Sequence, residues 1–200
     1  MSKSGTPIVR RKALILATIA EIGEAGTLDV TVSQIAQRAG MSPALAHHYF
    51  GSKDKIFLAA MRYILENFRQ AVSARLKTAK SPEDRIRAII DASFDSSQFE
   101  REIVAAWLAF YMRALQSPPA RRLLQVYARR LHSNLVFNLI QIFDAATAQQ
   151  VAQGLASMID GFYIRRALQD RVPDQQGIRQ LVQDYLELWL ERENRIEQSA

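Results

Sequence analysis

The 200-residue sequence lacks cysteine, which excludes disulfide bonds, thiolate zinc sites and cysteine nucleophiles. Only three histidines are present, so little material exists for a histidine metal cluster. Eight glycines and six prolines are too few for a collagen-like or low-complexity chain. We therefore expect a globular protein without a bound metal and without a cofactor.

Long apolar runs are also missing. The longest, Ile103–Met112, has ten residues, whereas a helix needs about 20 to cross a bilayer. The basic residues before Ala13–Ala20 resemble the start of a signal peptide. However, Glu21 and Glu24 follow directly, and the apolar residues fall at helical spacing. We expect a soluble cytoplasmic protein with no membrane partner.

The composition that remains is apolar and basic. Apolar residues make up 48% of the chain, which is enough to fill a core, and 26 basic side chains outnumber 20 acidic ones. The basic excess is densest in residues 1–55, with seven basic and four acidic side chains. A basic protein of this kind favours a polyanionic partner such as nucleic acid.

The apolar pattern is helical throughout and predicts an all-α fold. Capping boxes or cap residues at Thr31, Ser42, Ser81 and Thr147 mark helix starts, and Gly26 marks a helix end. Nine helices are predicted, at about residues 8–25, 32–39, 43–50, 53–79, 82–97, 99–116, 117–143, 147–170 and 173–193. The tail that follows is polar and is expected to fray.

The second and third predicted helices fit a helix-turn-helix. Ala36 and Ala39 are small enough for the helices to cross closely, and Gly40 permits the tight turn. Met41 and Leu45 can fill the space between the helices. In this motif the second helix enters the major groove of DNA. An ordinary αα-hairpin has the same spacing and stays open as an alternative.

A longer run of residues resembles the TetR family of bacterial repressors. It reads Thr31, Ile35-Ala36, Ala39-Gly40 and Ser42, followed by Tyr49-Phe50-Gly51-Ser52-Lys53. The resemblance covers residues 8–68. It implies a DNA-binding domain over residues 1–55 that extends into the fourth helix to about residue 68. Residues 56–200 would then form a helical domain for effector binding and dimerisation.

The resemblance and the chemistry together predict the residues that contact operator DNA. Hydroxyl groups and a lysine at helix N-termini can bind phosphate, and the basic arm 10–12 and Lys55 can add charge. We expect Ala46 to be exposed with its neighbours on the third helix, whereas Tyr49 and Phe50 favour the core. The predicted DNA contacts are Thr31, Ser42, Pro43, Ala44, Leu45, His47, His48 and Lys53.

The last two helices carry broad apolar stripes, and the family dimerises through this region. Pairing with a second copy would give a four-helix bundle. Internal packing of both stripes is the alternative. The residues predicted to form the homodimer interface are Val151, Leu155, Ile159, Leu181, Tyr185 and Trp189.

Further segments, among them Trp107-Leu108-Ala109-Phe110 and Ile159-Asp160-Gly161, resemble a narrower group of TetR repressors. That group controls glycine-betaine synthesis from choline. The resemblance implies a repressor that binds double-stranded operator DNA at the genes for choline uptake and oxidation and is released by choline.

Choline is a quaternary ammonium ion, so its recognition needs aromatic faces, optionally with a carboxylate. Several aromatic residues and one aspartate are available, although an aromatic stripe at helical spacing also fits an ordinary core. The predicted effector-binding residues are Trp107, Phe110, Tyr111, Tyr127, Asp160 and Tyr163.

Three other functions are weighed against this one. A TetR-type repressor could respond to a different cationic or hydrophobic molecule. An enzyme is not expected, since the sequence has no nucleophile elbow, glycine-rich phosphate loop or H-E-x-x-H motif. A basic helical scaffold would bind DNA or membranes without sequence preference.

Overall fold

The computed structural model describes residues 6–95, 99–169, 171 and 173–198. Within these residues the chain forms nine α-helices and no strand, which confirms the all-α prediction. The helices are α1 Pro7–Ala25, α2 Val32–Arg38, α3 Pro43–Phe50, α4 Lys53–Leu76, α5 Pro82–Ser93, α6 Arg101–Gln116, α7 Pro118–Leu139, α8 Ala145–Leu168 and α9 Gln175–Glu197.

Most predicted helix boundaries hold because the capping chemistry is present. Thr31 and Ser81 each form a capping box, and the Ser42 side chain accepts a hydrogen bond from the Leu45 N–H. Gly26 closes α1 with φ +63°, in the left-handed region that favours glycine. These caps satisfy backbone groups that a helix end leaves without an intrahelical partner.

The start of α8 differs from the prediction. Asp144, not Thr147, is its N-cap, and the Asp144 carboxylate accepts hydrogen bonds from the N–H groups of Ala146 and Thr147 at 2.8 and 3.1 Å. The Thr147 hydroxyl donates to the same carboxylate at 2.7 Å. These hydrogen bonds lower the pKa of Asp144 below its ordinary value. A carboxylate is favoured here because the helix N-terminus is partly positive.

Other helix ends shift by a few residues. The fourth, fifth and seventh helices end earlier than predicted, and α6 begins at Arg101 instead of residue 99. The ninth helix continues to Glu197, four residues beyond its predicted end at residue 193. The predicted ends of the fifth and eighth helices, Ser97 and Asp170, lie outside the described residues.

The chain divides into two compact units. The first comprises Met1–Glu66 and Glu100–Leu124, and the second comprises Asn67–Phe99 and Gln125–Ala200. The predicted DNA-binding segment 1–55 falls in the first unit. This unit also contains α6, which the sequence analysis assigned to the effector domain.

The helix α6 joins the first unit because it packs directly on α1. The two helices approach closely at Gly23, where a Cβ atom would lie 2.5 Å from the Cα of Glu102. Apolar side chains of both helices are buried in this unit, including Leu14, Ile22 and Val104. The helix that carries Trp107 and Phe110 therefore shares one core with the helix-turn-helix.

The second unit has its own core. Its buried side chains include Ile90 on α5, Leu135 on α7, Leu155 on α8 and Leu186 on α9. A polar contact also ties α5 to α7, since Arg85 donates to the Asn138 side chain at 2.8 Å. Polar contacts also join α5 to α9. Arg87 forms a hydrogen-bonded ion pair with Glu187, and Asp91 accepts a hydrogen bond from Gln183 and lies in ion-pair distance of Arg179.

Among the helices that the structure describes, none combines the length and the apolar character that crossing a bilayer requires.

Substitution of Gly23 tests the contact between α1 and α6. We expect Gly23→Ala to lower the free energy of unfolding by about 1–3 kcal/mol, because the new methyl group meets backbone that cannot move aside. Helix propensity alone predicts the opposite sign, a gain of about 1 kcal/mol. Urea denaturation followed by circular dichroism measures the change. Gly23→Val should be worse than Gly23→Ala, and a stabilised Gly23→Ala would contradict the close approach.

Candidate nucleic-acid interface and effector residues

The helix-turn-helix is built as the sequence predicts. Gly40 has φ +66°, and the Met41 N–H donates to the Ala36 carbonyl at 2.8 Å, which folds the chain back between α2 and α3. Arg38 at the end of α2 contacts both Glu21 and Glu24 of α1, with Nε 2.5 Å from Glu21 Oε1. The helix α2 is therefore fixed to α1 by charge as well as by apolar packing.

One face of α3 is open to a partner. Pro43, Ala44, His47 and His48 are exposed, as predicted for groups that meet DNA. Ala46 is not, because its side chain is fully buried. Residues four apart share a helix face, and position 46 lies on the face that Phe50 buries. The exposed surface of α3 is thus narrower than predicted.

Two further residues of α3 are half-buried. They are Leu45, which is a predicted DNA contact, and Tyr49, which was predicted to favour the core. Phe50 is buried, in agreement with the preference for the core stated above. Leu45 can reach DNA only with the exposed part of its side chain.

The two predicted phosphate-binding hydroxyl groups differ in their hydrogen bonds. The Thr31 hydroxyl accepts from the Gln34 N–H at 3.1 Å and donates to Gln34 Oε1 at 2.8 Å, so its proton is already engaged. The Ser42 hydroxyl accepts from the Leu45 N–H at 3.2 Å. Because a hydroxyl can accept and donate at once, Ser42 can cap α3 and still donate to a phosphate.

Lys53 begins α4, and its Nζ atom lies 5.3 Å from the centre of the Phe57 ring. The next residue, Asp54, accepts a hydrogen bond from Arg113 of α6 at 2.7 Å. The first turn of α4, with its predicted phosphate ligand, is therefore attached to α6. The sequence analysis did not anticipate this ion pair, since the two residues are 59 positions apart.

Three predicted effector residues lie on α6 in the first unit. Trp107 and Phe110 are buried, and Tyr111 is half-buried. The rings of Trp107 and Tyr111 are 5.9 Å apart with a 30° tilt, as the four-residue spacing predicts. Together they form a pair of adjoining aromatic rings.

The other predicted effector residues lie in the second unit, where two of them meet. The Tyr127 hydroxyl donates to Asp160 at 3.4 Å. Phe68 of α4 adds a second ring, 5.6 Å from that of Tyr127 and nearly perpendicular to it. Phe68 was not predicted from the sequence, because its spacing on α4 is the same as that of the helix's other apolar residues. A group of two rings and one carboxylate suits an organic cation.

Tyr163 has a different environment. It is buried, and its hydroxyl donates to the Ser93 carbonyl at 2.5 Å. Burial, together with the negative charges of Asp160 and Asp95, raises the pKa of Tyr163 above its ordinary value. Its ring stacks on Phe94 at 6.3 Å. These contacts pack Tyr163 against the C-terminal end of α5, and its role in effector binding stays a prediction.

The predicted dimer residues also divide into two groups. Val151, Leu155 and Ile159 are fully buried inside their own chain, so the prediction that they face a partner is corrected: they fill the core between α8 and its neighbours. Tyr185 and Trp189 are half-buried, with their rings 6.4 Å apart.

Leu181 is 45% exposed and lies on α9 with a second exposed leucine, Leu188. Among the described side chains of α8 and α9, the large apolar ones that are exposed are Ile164, Leu168, Leu181 and Leu188. We call these four residues the α8–α9 apolar surface. The interface residues predicted on α8 lie on its buried side, and dimerisation through α8 and α9 stays a prediction.

Within the residues that the structure describes, no group of three or more histidine, aspartate or glutamate side chains is placed to hold a metal ion.

Two family models match the chain. The model for bacterial regulatory proteins of the tetR family matches residues 14–60, which contain the helix-turn-helix. The model for the C-terminal region of BetI-type transcriptional repressors matches residues 82–191. The two matches cover the DNA-binding region and most of the remaining chain.

Individual relatives agree with the family models. The HTH-type transcriptional regulator BetI of Brucella suis is 52% identical over 95% of this chain and 96% of its own length. The regulator of the same name from Rhizobium meliloti is 48% identical over 93% of this chain and 92% of its own length.

Solved structures share the fold. A transcriptional regulator from Pseudomonas aeruginosa PAO1 superposes with a TM-score of 0.74 at 23% identity, covering 96% of both chains. A regulator from Saccharomonospora viridis, solved in complex with choline, superposes with a TM-score of 0.80 at 22% identity, covering 88% of this chain and 95% of its own. With the family models and the relatives at about half identity, the chain belongs to the TetR family of bacterial regulatory proteins and, within it, to the BetI-type transcriptional repressors.

Proposed function

We propose that this protein is a homodimeric, cytoplasmic repressor of the genes for choline uptake and oxidation to glycine betaine, and that choline releases it from its operator. The observation that carries the proposal is the 52% identity over 95% of the chain. This similarity includes the region matched by the BetI-type C-terminal model, residues 82–191. The predicted effector residues, Trp107 to Tyr163, lie within this region. The similarity there therefore supports the choice of ligand as well as the fold.

The exposed face of α3 supports operator binding. His47 and His48 are the exposed side chains with hydrogen-bonding groups in its last turn, and Ala44 can contact a thymine methyl group. Ser42 and Lys53 stand at the N-termini of α3 and α4, where hydroxyl, ammonium and backbone N–H groups can bind phosphates. In a dimer, two copies of α3 would meet successive major grooves about 34–36 Å apart.

The chemistry of choline supports the effector assignment. A quaternary ammonium ion has no N–H to donate, so aromatic faces and a carboxylate must recognise it. In the second unit Phe68, Tyr127 and Asp160 lie together, and in the first unit Trp107 and Tyr111 adjoin. The regulator from Saccharomonospora viridis shows that this fold can bind choline.

Within the first unit, α6 supplies a route from the Trp107–Tyr111 pair to DNA. It carries the Trp107–Tyr111 pair, and it holds the first turn of α4 through the Arg113–Asp54 ion pair. A shift of α6 would therefore move Lys53, because Lys53 lies in the same first turn of α4 as Asp54. A ligand shifts this equilibrium only to the extent that it binds one of the two states more tightly.

The α8–α9 apolar surface supports dimerisation. Leu168 and Leu188 are 67% and 63% exposed, although they stand on long, well-packed helices. Exposed apolar side chains grouped on two neighbouring helices mark a protein–protein contact. A two-fold axis would pair this surface with the same surface of a second copy.

A second candidate is a repressor of the same fold that answers another organic cation or a hydrophobic molecule. The aromatic and apolar side chains of α6, which include Trp107, Phe110 and Val104, favour this second candidate. Titration with choline analogues separates the two.

We expect Lys53→Ala and His47→Ala to weaken operator binding in different ways. Loss of a phosphate contact at Lys53 should lower affinity for all DNA and reduce the salt slope by about 1. Loss of a base contact at His47 should cost about 1–3 kcal/mol on the operator and little on random DNA. Fluorescence anisotropy at several salt concentrations measures both. Lys77→Ala removes one exposed charge from the second unit and serves as the control. Undiminished operator affinity in both variants would refute this DNA interface.

Choline should release the protein from DNA upstream of its own gene at micromolar to millimolar concentration. Glycine betaine should not, because its carboxylate would repel Asp160. Anisotropy of labelled operator follows the release. Asp160→Asn should raise the choline concentration required and leave operator affinity in place, whereas Ser157→Ala on the same helix should change neither. Tight, specific DNA binding without any response to choline would retain the repressor and reject choline as its effector.

Charge placed on the α8–α9 apolar surface should prevent dimerisation. We expect Leu181→Asp and Leu188→Asp to raise the dimer dissociation constant at least about tenfold, because an unpaired carboxylate would be desolvated at the interface. Sedimentation equilibrium measures the constant. Leu115→Asp, at an exposed leucine of α6 in the first unit, is the matched control. Unchanged dimers in both test variants would move the interface elsewhere.

A further inference from the structure

Arg11 on α1 contacts the end of α3. Its guanidinium carbon lies 4.5 Å from the centre of the Phe50 ring, and its Nη1 atom donates to the Tyr49 carbonyl at 3.4 Å. Tyr49 and Phe50 are the last two residues of α3. One side chain of α1 therefore binds both the backbone and the aromatic side chain at the C-terminus of the recognition helix.

Both contacts suit an arginine. The last carbonyl groups of a helix lack intrahelical donors and carry the negative end of the helix dipole, which attracts a cation. A planar guanidinium can cover an aromatic ring and donate to a neighbouring oxygen at the same time. A lysine ammonium has the same charge without this geometry.

The helix α3 needs such external support because it is short. Its eight residues cannot form a stable helix without tertiary contacts. The chain leaves it through Gly51, with φ +76°, so no further helical turn extends it. The buried side chains Ala46 and Phe50 fix its inner face. Arg11 adds a contact at its C-terminal end, next to the exposed His47 and His48.

We propose that Arg11 is a positioning residue that sets the orientation of α3 on α1 and thereby the operator specificity of the protein. Arg11 was predicted to belong to a basic arm, residues 10–12, that adds charge toward phosphate. The observed contacts direct its guanidinium to α3 instead. This proposal rests on the DNA-binding function proposed above for α3.

The neighbouring basic residues provide controls. Lys12 places its Nζ atom 6.0 Å from the Tyr63 ring of α4 and so engages a different helix. Arg10 is the adjacent arginine, and among the described residues its side chain forms no hydrogen bond or ring contact with α3. Arg10→Lys and Arg10→Ala therefore match the Arg11 variants in charge and chain position.

The test compares Arg11→Lys, Arg11→Ala and the Arg10 variants by fluorescence anisotropy on operator and random duplexes over a range of salt. Arg11→Lys keeps the charge, so its salt slope should equal that of the parent protein. Its operator affinity should fall about 3- to 10-fold, while its affinity for random DNA changes little. The ratio of the two affinities should stay constant in Arg10→Lys. Thermal denaturation confirms that each variant is folded.

A second measurement does not depend on DNA. Hydrogen exchange of the peptide that covers residues 43–50 should be about 3- to 10-fold faster in Arg11→Lys than in the parent protein or in Arg10→Lys. Phe50→Leu keeps an apolar core side chain and removes the ring. In that background Arg11→Lys should accelerate exchange less, because coupled residues are not additive.

Three results would overturn the proposal. The first is Arg11→Lys with the operator affinity of the parent. The second is Arg11→Ala with affinity for both duplexes reduced equally and a salt slope lowered by about 1, which identifies a phosphate contact. The third is unchanged exchange of α3 in Arg11→Lys. If the parent protein shows no preference for its operator, the proposed function fails, and the exchange result still decides whether Arg11 positions α3.

Discussion

The packing of α1 is the constraint on which the first unit depends. At one end α1 approaches α6 so closely that only glycine fits at position 23. Along its length it holds α2 through Arg38 and its two glutamate partners, and near its start Arg11 contacts the end of α3. The two short helices of the motif have little stability of their own. Contacts with α1 therefore fix the positions of α2 and α3, and the packing of α1 on α6 fixes the position of α1.

Local chemistry explains why much of the fold could be predicted. Caps such as Thr31 and Ser42, and glycines such as Gly26, define helix ends within one turn of sequence, so the nine helices were found from the residues alone. The spacing of small and aromatic residues identified the DNA-binding motif for the same reason. Membership of a family of transcription regulators confirms the prediction that the chain is not an enzyme.

Predictions that depend on distant contacts were weaker. A helical stripe shows that a face is apolar, but it does not show whether that face meets the chain's own core or a partner. Val151 and Leu155 were for this reason placed at an interface although they are fully buried. Tyr163 was predicted from its residue type alone, and its hydrogen bond to the Ser93 carbonyl joins residues 70 positions apart. Phe68 and Arg113 act through partners 59 positions away, and no local pattern reveals such partners.

The inclusion of α6 in the first unit has a consequence for building hybrid regulators. A graft that joins residues 1–55 to a foreign effector domain would separate Gly23 from Glu102 and Asp54 from Arg113. The new α6 would have to offer both a narrow crossing point and a cation at the matching positions. A transplant that carries Met1–Glu66 together with Glu100–Leu124 keeps these contacts intact. The natural module for exchange between repressors is thus discontinuous in sequence.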